Sequence, residues 1–105
     1  MRWILLILVT FTLAACVPQP RELALHVVAA EAQTLDGQLV KTSGVVRMYD
    51  DPLHYWVEDG QLNRVGLEGQ NFARYVDQDV VVMGVFRMNA DRGRYIEVSQ
   101  IRTLR

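Results

Sequence analysis

The sequence predicts an all-β domain with short helices, in which five strands close into a small barrel behind an N-terminal helix. Three observations carry this. The hydrophobic period changes from helical to two after Gly37 and stays near two almost to the chain end. The β segments come as three, then a short helical stretch, then two. The first of them is long and holds Gly44 near its middle, where a bend lets one strand pair in both halves of a barrel. An order of β-β-β-α-β-β with a bent first strand is the OB-fold plan. Closing the barrel removes most exposed strand edges.

The elements follow in order. Residues 1–15 begin with Arg2, continue as an apolar run from Trp3 to Leu13, and end in Ala14 and Ala15. This is the layout of a secretory signal peptide, and the run is short for a bilayer span of about 20 apolar residues. The alternative is an uncleaved N-terminal anchor helix. Leu13-Ala14-Ala15-Cys16 resembles the lipobox of bacterial lipoproteins. The resemblance implies diacylglyceryl transfer to the Cys16 thiol and cleavage just before it. It also accounts for a chain with a single cysteine, because a thioether is inert where a free thiol is a liability. Val17 after the cysteine resembles the outer-membrane pattern of Gram-negative lipoproteins. The mature chain would have 90 residues, with ten basic side chains against twelve acidic and a net charge of −2.

Residues 16–20 read as a lipidated tether, in which Pro18 and Pro20 favour extended chain. Residues 21–105 form the domain. From Arg21 to Leu35 the spacing of Leu25, Val28, Ala32 and Leu35 predicts one helix with a narrow apolar stripe, ended by Asp36-Gly37. Strands are predicted at Gln38–Tyr49, Leu53–Glu58, Arg64–Glu68, Asp79–Met88 and Arg94–Leu104. Asp50-Asp51-Pro52, Asp59-Gly60 and Asn89 to Gly93 supply the turns. Phe72, Tyr75 and Val76 fit one or two helical turns between the third and fourth strands.

Residues from about Val28 to Leu104 resemble the bacterial OB-fold family of small periplasmic proteins. The stretches that carry the resemblance are Ala32-Gln33-Thr34-Leu35, Gly44, Tyr55-Trp56-Val57-Glu58-Asp59-Gly60, Val82-Met83-Gly84-Val85-Phe86 and Tyr95-Ile96-Glu97-Val98-Ser99-Gln100-Ile101. Nucleic-acid-binding OB domains of the tRNA-anticodon-binding type share the pattern more loosely. The resemblance implies a barrel and a periplasmic or surface setting. It brings no catalytic residues.

Length and charge exclude much else. A chain of 105 residues with a net charge of −1 is one domain without the basic excess of an electrostatic nucleic-acid binder. Glu58 and Asp59 are consecutive and point to opposite faces of a strand, and Asp77 and Asp79 flank a turn, so neither pair suits glycosidase chemistry. No nucleophile elbow surrounds Ser43 or Ser99, and no phosphate-cradling motif occurs. His26 reads as a surface imidazole. Asp50, Asp51 and His54 have the donor types for a divalent cation, yet Asp-Asp-Pro is ordinary turn chemistry. No metal, cofactor or catalytic residue is assigned, and the chain reads as a non-enzyme.

The remaining signal is Trp56. With Tyr55 and Val57 directed inward, Trp56 points out beside His54, on the face OB-folds use for ligands. Arg64 and Gly66 share that face from the third strand, with Arg47 and Tyr49 possible from the first. Gly66 would leave a hollow beside the indole. The other reading packs Trp56 beneath the N-terminal helix or the Asn89–Gly93 loop. Three functions follow as expectations. The first is a binding module of the bacterial cell envelope, anchored to a membrane through Cys16, on the periplasmic face of the outer membrane if the cell is Gram-negative. Its partner would be a protein or a saccharide. The second is a single-stranded nucleic-acid-binding OB domain, which the acidic balance and the export signal oppose. The third is a structural envelope lipoprotein without a small ligand.

Overall fold

The period-two stretches become strands, and one strand's double pairing closes them into a ring. The computed structural model describes residues 19–104. The expected signal segment (1–15), Cys16 and most of the expected tether (16–20) lie outside the described residues. The elements are β1 (Arg21–Glu22), α1 (Leu25–Ala30), α2 (Ala32–Leu35), β2 (Leu39–Asp50), β3 (Leu53–Glu58), β4 (Arg64–Glu68), a 3₁₀ turn at Ala73–Tyr75, β5 (Asp79–Asn89) and β6 (Gly93–Thr103).

The N-terminal part of β2 pairs with β5 from Leu39 to Val45, and its C-terminal part pairs with β3 from Val45 to Asp50. The switch falls beside Gly44, where a Cβ would stand 2.9 Å from the Glu58 carbonyl oxygen. Glycine is needed there for close approach of two backbones. The ring runs β2-β3-β4-β6-β5 and back to β2, antiparallel throughout except for β4 against β6. It is uneven, since β4 meets β6 only from Tyr95 to Glu97. This is a mostly-β closed barrel of the OB-like kind.

Two expectations need correction. The strands number six rather than five, because Arg21 and Glu22 pair with Val40 and Lys41 instead of starting the helix. That helix is two short ones parted at Glu31, although its stripe of Leu25, Val28, Ala32 and Leu35 is buried as the spacing predicts. The bend expected at Gly44 falls where β2 changes partner, and a separate register shift lies at Met83/Gly84 in the β5–β6 pair. The short helix before the fourth predicted strand is a single 3₁₀ turn.

Inward residues alternate along β2, β4 and β5. Val46, Val57, Val65, Val80, Val82, Phe86 and Ile96 fill the interior, and Phe72 and Leu35 join them. The same alternation directs the intervening residues outward, and so positions the site.

Candidate functional site

Val57 is fully buried, so its strand neighbours Trp56 and Glu58 must face away from the core. The register then assembles a row. Arg47 stands opposite Trp56, Trp56 opposite Gly66, and Gly66 opposite Tyr95. Tyr49 pairs with His54, and Glu58 with Arg64. Every residue singled out in the domain, namely Arg47, Tyr49, His54, Trp56, Arg64 and Gly66, therefore lies on one outer face, made by β2, β3 and β4. Cys16 falls outside the described residues.

The side chains form a continuous stack. Tyr49 and His54 have ring centroids 5.9 Å apart, and His54 and Trp56 are 5.2 Å apart at 33°. The Arg64 guanidinium carbon sits 5.3 Å from the Trp56 ring centroid on a cation–π contact. Trp56 is half-buried between these neighbours. Tyr49 is 58% exposed and leaves the end of the stack open. The hollow expected beside the indole is displaced. A Cβ on Gly66 would meet the Arg94 carbonyl oxygen and the Tyr95 Cβ, each at 3.2 Å, so the missing side chain makes room on the Tyr95 side.

Glu58 ties the face together. Its carboxylate accepts from the Trp56 indole N–H at 3.4 Å and from Arg64 Nε at 2.9 Å, and its other oxygen accepts from Arg47 Nε at 3.4 Å. These donors hold the Glu58 carboxyl below the usual glutamate range, with the indole hydrogen bond the largest cause and burial opposing it. Arg47 also donates to Asp77, which raises the guanidinium further above its ordinary value. Asp77 arrives because the chain leaving the 3₁₀ turn bridges Val46 through Val76, and the Asp77 N–H donates to the Val46 carbonyl at 2.8 Å. Asp77 takes φ +67°, in the left-handed region that Asp tolerates better than most residues.

Most of the arginines around this face stand beside carboxylates. Arg87 faces Glu97 at 3.6 Å, Arg92 faces Glu68 at 3.5 Å, and Arg94 donates to the Ala29 carbonyl at 2.7 Å. The face thus offers flat rings edged by polar groups, with most of its arginines beside carboxylates. That suits stacking against a sugar ring or a partner's side chain more than neutralising a run of phosphates.

The other titratable groups have local duties. The His54 Nδ1–H donates to the Pro52 carbonyl at 2.7 Å within the hairpin turn. Asp59 organises the β3–β4 turn by accepting from the backbone of Gln61 and Asn63 and from the Asn63 amide, which lowers its carboxyl. Among the described residues no three His, Cys, Asp or Glu side chains gather as a metal site. Sequence reasoning set Glu58 on the same strand face as His54 and Trp56 but gave it no role, and it missed Asp77 and Tyr95 as members of the face. Asp77 and Tyr95 join only through long-range register.

Fold and face together define a class, the small OB-like barrel with a stacked outer surface. No protein-family model matches the chain, and no curated protein matches it. The chain is similar to solved structures of small OB-fold-like proteins. One is the telomere capping protein Ten1 from Saccharomyces pombe, with a TM-score of 0.56 and 17% identity over 81% of either chain. Another is the hypothetical protein YgiW from E. coli, with a TM-score of 0.55 and 19% identity over 82% of this chain and 90% of that one. A third is a DUF3299 family protein from Pseudomonas aeruginosa, with a TM-score of 0.53 and 14% identity over 83% and 97%. At these identities the likeness is one of fold.

Proposed function

We propose that the chain is a non-catalytic binding module of the bacterial cell envelope, a member of the small periplasmic OB-fold family carried on a lipoprotein signal. Its five main strands form the OB barrel, and β1 is an addition to that plan. A lipid on Cys16 anchors it to the membrane, at the periplasmic face of the outer membrane in a Gram-negative cell. The outer face of β2, β3 and β4 takes a saccharide or a protein ligand.

The observation that carries this reading is the stack of Tyr49, His54, Trp56 and Arg64, open at Tyr49 and edged by Glu58. An exposed run of rings with hydrogen-bonding edges suits ligands that are flat on one side and polar around the rim. The non-catalytic part is supported by Glu58, whose three donors favour the ionised form. A general acid needs its carboxyl raised. Pairing of the arginines with carboxylates speaks for a neutral ligand over a nucleic acid.

The test is capture from solubilised bacterial envelopes by the full chain and by its Trp56→Ala variant. Removing one stacked ring, worth about 1–3 kcal/mol, should weaken capture roughly 5- to 150-fold. Capture of the same partner at unchanged strength by Trp56→Ala would refute the use of this face.

A further inference from the structure

The β2–β3 hairpin carries its apolar side past the point where the core ends. On β2 the inward positions Val40, Thr42, Gly44 and Val46 are buried, and the next one, Met48, is 36% exposed. On β3 the inward positions run from buried Val57 through half-buried Tyr55 to Leu53, which is 60% exposed. Tyr49, on the opposite side of the same hairpin end, is exposed as well. Of the six large apolar side chains exposed among the described residues, Met48, Tyr49 and Leu53 belong to this one segment, so the exposure is concentrated rather than scattered.

The tip of the hairpin is acidic. Asp50 and Asp51 are exposed and enter none of the ion pairs among the described residues. The run from Met48 to Leu53 contains no basic residue, and Arg47 behind it is held by Glu58 and Asp77. A hollow of about 290 Å³ is lined by Met48, Tyr49, Asp50 and Asp51, so apolar groups and carboxylates border one concavity. The tip is braced from within. His54 donates to the Pro52 carbonyl and meets the Tyr49 ring, which leaves little freedom to be lost on docking.

We propose that this hairpin end inserts into an apolar cleft of a partner protein, where a lysine or arginine of the partner meets Asp50 and Asp51. Charge selects this occupant. A surface of anionic lipid repels the acidic tip. A second copy of the chain meeting it tip to tip would bring four carboxylates together, an arrangement that rejects a partner. Met48 and Leu53 are aliphatic and gain from an apolar wall, which a protein cleft supplies. The contact goes beyond the binding face at Trp56 and does not depend on it.

The test replaces Leu53, or Gln61 in the β3–β4 turn, by photoreactive p-benzoylphenylalanine in the full chain, inside the cells that make it. Both positions are exposed. Irradiation should join position 53 to one protein, and mass spectrometry should place the joined site in an apolar segment beside a lysine or arginine. Position 61 should give none of this product. Binding is then measured with that partner purified. Leu53→Asp should weaken it at least about 30-fold, the loss of an interface anchor. Asp50→Asn with Asp51→Asn should weaken it about 2- to 30-fold in total and remove its dependence on salt. Changing the partner's basic residue to glutamate should weaken binding to the unaltered chain, and Asp50→Lys with Asp51→Lys should restore it. No protein product at position 53, a product with lipid, saccharide or a second copy of this chain, or equal yields at positions 53 and 61 would overturn the proposal. So would binding that ignores both salt and the aspartate changes. The salt dependence and the crosslink site are read without the charge variants and do not require those to fold. Trp56→Ala, measured against the same partner, judges the β2–β4 face separately.

Discussion

Replacing Gly84 with alanine should unfasten the barrel. Gly84 sits at the register shift in the β5–β6 pair, inside the ring, opposite Val98. A Cβ there would lie 2.7 Å from the Glu97 carbonyl carbon, well within contact of its oxygen, and 2.8 Å from Ile96 Cγ2. The first obstacle is backbone and the second belongs to a fully buried side chain, so neither can swing aside. Relief requires β5 and β6 to part. Overpacking of this kind costs about 1–3 kcal/mol, and each ladder hydrogen bond lost adds about 1 kcal/mol, giving at least about 3 kcal/mol in all. For a domain of this size that lowers the melting temperature by at least about 12 °C. Gly60→Ala is the control, because a Cβ at Gly60 meets nothing within 4 Å and the change should stay within about 0.5 kcal/mol. Thermal unfolding of both full-chain variants by far-UV circular dichroism makes the comparison. A Gly84→Ala loss below about 1 kcal/mol would show that β5 and β6 do not pair in this register, and the closed ring would fall with it.

Other consequences are open to the same kind of check. Thr42 is 3% exposed and its hydroxyl has no hydrogen-bond partner among the described residues. Thr42→Val should therefore stabilise the domain by about 1–3 kcal/mol in denaturant unfolding, and a loss of stability would reveal a partner for the hydroxyl. Glu58 has a folded-state pKa below its unfolded value, so its contribution to stability is full above the ordinary glutamate range and is lost as pH falls through the lowered value. In a chain carrying Trp3→Phe and His54→Phe, where Trp56 is the sole tryptophan and no imidazole lies against it, the emission should hold steady from about pH 8 to about pH 5 and change only at lower pH. Glu58→Gln should abolish that acid-side change, and a transition near neutral pH would contradict the network.

Much of this architecture was legible in the residues, for physical reasons. Alternation at Leu53–Glu58 and Arg64–Glu68 gave both strands at their observed bounds, because one face must be buried and the side-chain period is two. The same rule put Trp56 and His54 outward together. The stripe of Leu25, Val28, Ala32 and Leu35 told which side of the helical segment is buried, though not that it breaks at Glu31. A two-residue strand such as Arg21–Glu22 has too few positions to show any period. Gly44 and Gly84 look alike in sequence, and only the approach of the partner strand separates a bend from a register shift. Asp77 and Tyr95 lie far along the chain from Arg47 and Gly66, and their place on the face follows from closure.

The most direct test of the account is the indole N–H resonance of Trp56 in isotopically labelled full chain, followed while soluble fragments of envelope glycan and proteins extracted from the envelope are added in turn. The account predicts that one of them shifts the Trp56 indole saturably, together with the backbone amides of His54, Arg64 and Gly66, and with little dependence on salt. Perturbations confined to the helices or to the β5–β6 hairpin, with the Trp56 indole unmoved, would contradict it.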